Sequence, residues 1–147
     1  MDYKLPEQKE RDMAVAWTEE LAIGVEQIDE QHKEIFRRVN ALLEACKSGK
    51  GKEAVGETVK FLENYVVEHF AAEENIQLRY SYPDYKLHKA MHEAFIADVQ
   101  GLKKMLDEQG ATLTAVLRTN QLVVDWLVKH IKKADKDLGE HVRRQPR

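Results

Sequence analysis

Histidine and glutamate side chains recur at a spacing of four residues in two segments of the sequence. His69 and Glu73 form one such pair, and His88 and His92 form the other. On an α-helix, residues four apart differ by about 40° in direction, so each pair shares one helix face. Imidazole and carboxylate groups are ligands that iron, zinc, manganese and copper all accept. The two pairs therefore indicate a metal site.

Most of the histidines fall on inner helix faces, each in line with a stripe of apolar residues. The five inward histidines are His32, His69, His88, His92 and His130. Burying a carboxylate without a partner is costly, and a buried imidazole must satisfy both of its nitrogens. A multivalent cation compensates all of these groups together. With Glu73 and Asp135 the candidates are too many for one tetrahedral zinc. They suit two metal ions roughly 3.5–4 Å apart and bridged by carboxylates.

Asp135 does not fit a straight helix. It follows His130 by five residues, which puts the two side chains about 140° apart on an ideal α-helix. At that angle they cannot share one metal centre. We therefore predict that the helix ends or distorts between Ile131 and Asp135, so that Asp135 swings back under His130.

Four helical segments must position these residues. Apolar periodicity predicts helices over about residues 29–47, 52–79, 83–109 and 112–130, with short connections that make neighbours antiparallel. The predicted fold is an all-α, up-down four-helix bundle over residues 17–138. A charged N-terminal arm (1–16) precedes it and a C-terminal tail (139–147) follows it, with the chain frayed after Asp135.

The composition is that of an ordinary globular domain. The chain has 147 residues, of which 43% are apolar and 33% charged, with a formal net charge of -3. This charge gives no reason to expect nucleic acid or an anionic membrane surface as a partner. We find no apolar run long enough to cross a bilayer and no signal peptide. The single Cys46 cannot form an internal disulfide, and we expect a cytoplasmic protein.

The order and spacing of these blocks resemble the hemerythrin family, and within it the single-domain bacterial form. The resemblance covers residues 17–138. The matching stretches are Trp17, Gly24-Val25, Ile28-Asp29-Glu30-Gln31-His32, His69-Phe70-Ala71-Ala72-Glu73-Glu74, Tyr82-Pro83, His88, His92-Glu93-Ala94-Phe95, Trp126-Leu127-Val128-Lys129-His130-Ile131 and Asp135.

The resemblance implies a cofactor of two iron ions per chain, joined by an oxo or hydroxo bridge. It assigns His88, His92 and His130 to one iron. It assigns His32 and His69 to the other, which keeps one open position for dioxygen. Glu73 and Asp135 would bridge the two irons. The residues expected to line the oxygen pocket and exclude water from it are Phe36, Phe70, Trp126 and Val128.

The function implied by the resemblance is reversible dioxygen binding, for transport, storage or delivery to an oxygen-using enzyme. On this interpretation the protein is a binding protein and not an enzyme, and we expect a monomer. The main alternative is a di-iron enzyme that acts on peroxide or nitric oxide with the same ligands. Oxygen or redox sensing is a third hypothesis, and iron storage is a weaker fourth.

Four residues near these motifs receive separate interpretations. Gln77 stands where many bacterial relatives have methionine. If it faces the pocket, it could admit water and speed autoxidation, and otherwise it lies on the helix surface. We expect Glu74 to be a solvated charge, His141 an ordinary surface residue and Cys46 a small core residue.

Overall fold

The structure, a computed structural model, describes residues 17–145. The predicted arm over residues 1–16 lies outside the described residues. A short 3-10 turn, Glu19–Leu21, precedes four long helices. These are α1 (Glu26–Lys47), α2 (Gly51–Phe61, Leu62–Val66 and Val67–Arg79), α3 (Tyr85–Gln109) and α4 (Leu113–Gln121, Leu122–Leu127, Val128–His130, Ile131–Asp135 and Lys136–Arg144). The described range contains no strand, so the predicted all-α four-helix bundle is confirmed.

Apolar stripes on the four helices form one main core. The stripe of α1 is almost completely buried, as its periodicity predicts, with Ile35, Val39 and Leu42 in this core and each at most 1% exposed. Ile28, at the start of α1, is buried in a smaller cluster with Ile23 and Ile76. Cys46 continues this stripe and is half-buried against the core. Thus the main driving force of the fold is burial of these stripes against one another. Within the described range, no helix is long and apolar enough to cross a membrane.

The connections between the helices are short, and they determine which halves of the helices meet. Residues 48–50, 80–84 and 110–112 join consecutive helices, which therefore run antiparallel. His32 lies in the first half of α1, and His69 lies in the second half of α2. His88 lies in the first half of α3, and His130 lies in the second half of α4. The up-down topology thus brings all four helix segments to the same end of the bundle.

The predicted distortion after His130 takes the form of a π-helical turn. Residues Ile131–Asp135 are π-helical, and the Lys136 backbone N–H donates to the carbonyl oxygen of Ile131, five residues earlier. One turn of a π-helix brings residues five apart to the same face, so Asp135 comes back under His130. The helix therefore distorts without ending, and the prediction of an end or distortion in this segment is confirmed.

The segment that we expected to fray after Asp135 is helical. Helix α4 continues through Lys136–Arg144, where Leu138 is fully buried. The expectation for His141 is also wrong, because its Nε2 donates to the backbone oxygen of Tyr80 at 2.7 Å. The cause is that the π turn rotates the next two turns of helix back onto the bundle. The division of the chain at residue 138 stays a prediction.

The last turns of α4 pack tightly against the chain that enters α1. Gly139 lies so close to Ile23 that an added Cβ would overlap the Ile23 carbonyl oxygen and approach its carbonyl carbon to 2.9 Å. Ile23 is itself only 1% exposed. The absence of a side chain at Gly139 therefore allows α4 to close this end of the bundle.

We predict opposite effects for two glycine-to-alanine substitutions. Gly139→Ala should lower the free energy of unfolding by about 1–3 kcal/mol, because backbone atoms must shift to admit the methyl group. Gly56→Ala, at an exposed helical position where an added Cβ meets nothing within 4 Å, should raise it by about 0.5–1 kcal/mol. Urea unfolding of both variants measures the difference. Equal stabilisation by the two alanines would contradict the close contact.

Candidate metal centre

All seven residues proposed as metal ligands come together in the interior of the bundle. Each is at most 7% exposed. The seven are His32, His69, Glu73, His88, His92, His130 and Asp135. Their side chains form two groups in which the ligand atoms all lie within 4.8 Å of one another. One group contains His88, His92 and His130, the other contains His32 and His69, and both contain Glu73 and Asp135.

Each carboxylate presents one oxygen to each group. Glu73 Oε2 lies 3.0 Å from His92 Nε2, whereas Glu73 Oε1 lies 2.9 Å from His69 Nε2. Asp135 Oδ1 lies 2.9 Å from His88 Nε2, whereas Asp135 Oδ2 lies 3.1 Å from His32 Nε2. The two carboxylates therefore stand between two sets of imidazoles. This is the arrangement of bridging ligands between two cations.

The buried carboxylate oxygens of the cluster depend on the imidazoles around them. Glu73 Oε2 lies 3.0 Å from His92 Nε2, and the two Asp135 oxygens lie 2.9 and 3.1 Å from His88 Nε2 and His32 Nε2. Among the described residues these three oxygens have no hydrogen-bond partner outside the cluster. His130 Nε2 lies 2.9 Å from His88 Nε2 and 3.2 Å from His92 Nε2. Three ring nitrogens that crowd together in this way cannot all be satisfied by one another. They point at a common space, and a cation in that space would satisfy nitrogens and oxygens together.

Without a metal, the cluster balances its charge with protons. Burial lowers the pKa of His32, but hydrogen bonds and charge from Asp135 and Glu73 outweigh it and raise this pKa to about 9. The same opposing effects raise the pKa of His88 to about 9. Burial raises the pKa of Glu73, but the neighbouring imidazoles, His69 foremost, hold it well below its usual value. At neutral pH the metal-free cluster thus pairs two carboxylates with two protonated imidazoles.

Three of the histidines have a hydrogen-bonding partner behind the ring, at Nδ1. His69 Nδ1 donates to Gln31 Oε1 at 2.7 Å. His92 Nδ1 donates to a Glu74 carboxylate oxygen at 3.0 Å. Such partners orient a metal-binding imidazole and increase its basicity. Glu74 is therefore not the solvated charge that we expected, since it faces α3 and its side chain is only 19% exposed.

Gln77 is the third partner. It is completely buried, and its Nε2 lies 2.9 Å from His88 Nδ1. Of the two positions that the sequence left open for Gln77, the helix surface is therefore excluded. The side chain faces the centre, but it contacts the back of a histidine.

Aromatic rings stack on two of the imidazoles. Phe70 stacks on His92, with ring centroids 3.8 Å apart and planes 3° apart. The half-buried Trp126 stacks on His130, with centroids 4.4 Å apart and planes 12° apart. Phe36 is buried in the main core, and Val128 is half-buried against it. The lining of an oxygen pocket by these four residues stays a prediction.

Two kinds of feature around the centre are not predicted from the sequence. One is the role of Gln31, although this residue directly precedes His32. The other is a pair of π-helical turns, Leu62–Val66 before His69 and Leu122–Leu127 before His130. A glutamine beside a ligand was the available signal for the first feature. We find no signal in the sequence for the π turns.

The fold and the cluster define a cation-binding four-helix bundle, and comparison with known proteins identifies its family. A family profile described as "Hemerythrin HHE cation binding domain" matches residues 23–142. The bacteriohemerythrin of Methylococcus capsulatus is 36% identical over 126 residues, which cover 85% of this chain and 94% of that protein. The chain therefore belongs to the hemerythrin family.

Further relatives and a solved structure agree with this membership. The bacteriohemerythrin of Stenotrophomonas maltophilia is 31% identical over 88% of this chain and 82% of its own length. A hemerythrin-like protein of Naegleria gruberi is 33% identical over 81% of this chain and 86% of its own length. A crystal structure of a mutant in which a leucine is replaced by phenylalanine superimposes with a TM-score of 0.76. It is 33% identical and covers 87% of this chain and 96% of that chain.

We predict that metal binding releases protons from the cluster near pH 7. Imidazole binds a metal through an unprotonated nitrogen, whereas His32 and His88 hold their protons up to about pH 9 in the metal-free protein. A lower pH therefore favours the protonated rings and weakens metal binding. Calorimetry of Fe²⁺ binding under anaerobic conditions, in buffers of different ionisation enthalpy, measures the released protons.

The control is His141→Gln, which removes a histidine outside the cluster and should leave the proton release unchanged. Proton release near zero at neutral pH would contradict the charge balance described above. So would a release that stays constant as the pH rises through about 9.

Proposed function

We propose that the chain binds dioxygen reversibly at a non-haem di-iron centre formed by the seven buried side chains. The observation that carries this proposal is the shared position of Glu73 and Asp135 between a three-histidine group and a two-histidine group. The unequal number of histidines gives one metal a ligand fewer than the other. The two-histidine side is then the side with an open position for dioxygen.

The ligand assignment follows the two groups. His88, His92 and His130 would hold one iron, and His32 and His69 would hold the other. Glu73 and Asp135 would bridge them. When bound, the iron pair supplies the electrons that reversible dioxygen binding requires. The family membership supports iron over the other metals that the same ligand types accept.

The side chains of the centre supply charge balance and exclude water. Two carboxylates and five neutral imidazoles give the ligand set a modest negative charge. We expect such a set to stabilise highly oxidised iron less than the carboxylate-rich ligands of ferritin-like oxidases do. Phe70 and Trp126 cover two of the imidazole faces, and the ligands are nearly inaccessible to solvent. This favours binding of dioxygen without its cleavage.

The main alternative, a di-iron enzyme acting on peroxide or nitric oxide, has less support in the chain. Cleavage of peroxide is assisted by a positioned general acid or base. Apart from the seven ligands, the buried polar side chains in the described range are amides and hydroxyls only. They are Thr58, Gln77, Thr119 and Asn120. Glu74, a partly buried carboxylate, lies 3.0 Å from His92 Nδ1, behind that ring and away from the proposed irons. The positions of these groups favour a carrier over an enzyme.

The biological use of the bound oxygen is the finer part of the proposal. Transport, storage and delivery to an oxygen-using enzyme all require the same reversible centre. A sensor would require a partner that recognises one oxidation state of the iron pair. A monomeric state and a cytoplasmic location remain predictions from the sequence.

The proposal is tested by optical spectra of the iron-loaded protein. We expect two irons per chain, oxo-to-iron charge-transfer bands in the ferric form, and an oxygenated species that returns to the di-ferrous form under vacuum. Immediate conversion of the reduced protein to the ferric state in air, with fast peroxide consumption, would favour the enzyme. One zinc per chain as purified would contradict the di-iron centre.

We predict that Asp135→Ala disrupts both iron positions, because both groups share this carboxylate. The variant should bind less than one iron for every two in the unmodified protein. Asp137→Ala is the matched control, since Asp137 is 45% exposed and pairs with the exposed Lys133. This control should retain full iron content by elemental analysis. Equal iron content in the two variants would exclude Asp135 as a bridge.

A further inference from the structure

The amide of Gln77 lies behind His88 and on the side away from the proposed irons. His88 uses Nε2 for its contacts with Asp135 and Glu73, at 2.9 and 3.4 Å. Its other ring nitrogen, Nδ1, lies 2.9 Å from the Gln77 amide. Gln77 is completely buried, and its Oε1 has no hydrogen-bond partner among the described residues. The side-chain hydrogen-bonding contact of this buried amide is therefore with the ring of a proposed ligand.

The chemistry of His88 determines which end of the amide must face it. A neutral imidazole that binds a metal through Nε2 carries its proton on Nδ1 and is a hydrogen-bond donor there. A donor needs an acceptor, and the acceptor of the Gln77 side chain is Oε1. A half-turn of the amide about its terminal bond exchanges Oε1 and Nε2. This half-turn gives the presently unpartnered oxygen its donor.

We infer that Gln77 is a positioning residue for the di-iron centre, through a hydrogen bond that its amide oxygen accepts from His88 Nδ1. This inference rests on the proposed function. The hydrogen bond holds the proton on Nδ1, keeps Nε2 free to bind iron and fixes the rotation of the ring. Gln77 thereby raises the electron donation of His88 to the iron, as outer partners of metal-bound histidines do.

Two histidines of the three-histidine group then have outer partners of different charge. His92 donates to the carboxylate of Glu74. In the inferred orientation of the amide, His88 donates to the neutral Gln77 Oε1. A carboxylate pulls the Nδ1 proton more strongly than an amide does, and a thioether or alkyl side chain accepts little or nothing. The residue at position 77 therefore sets the electron density on His88 in graded steps, and it does so without contact with the metal.

The test compares substitutions of similar length at this position. Gln77→Met removes the acceptor and keeps the volume, whereas Gln77→Glu keeps an acceptor oxygen. Thr119→Val is the control for loss of a buried polar group, because Thr119 is fully buried and its hydroxyl donates only within its own helix, to the Ala115 carbonyl. The readouts are the midpoint potential of the iron pair and the rate of iron loss to a chelator.

We expect the midpoint potential to rise in Gln77→Met and to stay equal or fall in Gln77→Glu. Iron should leave Gln77→Met about 10–100-fold faster than the unmodified protein, since outer partners have effects of this size on metal affinity. Thr119→Val should match the unmodified protein in both measurements. Equal potentials and equal iron-loss rates in Gln77→Met and the unmodified protein would overturn the inference. So would an equal rise of the potential in Gln77→Met and Gln77→Glu.

A second readout separates this inference from the proposed function. In ¹H–¹⁵N spectra of the metal-free protein, the His88 Nδ1–H should be protected from solvent exchange in the unmodified protein and in Gln77→Glu, and lost by exchange in Gln77→Met. Absence of protection in the unmodified protein would overturn the role of Gln77. Failure of the unmodified protein to bind iron, with the protected proton present, would instead overturn the proposed function and leave the hydrogen bond established.

Discussion

The structure depends on one unfavourable burial that a metal would resolve. Two carboxylates lie in the interior of a helical bundle, and in the described part of the chain three of their four oxygens have no hydrogen-bond partner outside the cluster of histidines. Five imidazoles surround them with the ring nitrogens turned inward. An uncompensated carboxylate costs several kcal/mol in such a place, and protons on imidazoles offset only part of that cost. Folding and metal binding should therefore be strongly coupled in this protein.

The helices bring these carboxylates and imidazoles together by departing from α-helical geometry near the proposed ligands. The π turn Ile131–Asp135 lets Asp135 and His130 face one point, and two further π turns precede His69 and His130. A π turn loses favourable packing of the backbone, so it persists only where the surrounding structure compensates. In α4 the same turn has a second effect, since it directs the last turns of the helix onto the entrance of α1. The closing of the bundle and the position of a proposed ligand thus have one cause.

Much of the centre can be predicted from periodicity, and the parts that cannot have a common reason. His32, His69 and His88 follow the apolar stripes of their own helices, so their inward direction is readable from sequence spacing. Glu74 lies off the stripe of α2, yet it points at α3. The spacing of residues gives a direction relative to the core, but not the identity of the neighbouring helix. For the same reason the sequence indicates no role for Gln31 and leaves Gln77 open between the pocket and the helix surface.

The bridging position of Glu73 and Asp135 is the central claim, because the proposed iron pair, the open position and the role of Gln77 all follow from it. Mössbauer spectroscopy of the ⁵⁷Fe-loaded ferric protein at low temperature tests this most directly. Two irons joined by bridging groups should couple antiferromagnetically and give quadrupole doublets of a diamagnetic ground state, without magnetic splitting in a weak applied field. A magnetically split spectrum of isolated high-spin ferric iron would contradict it.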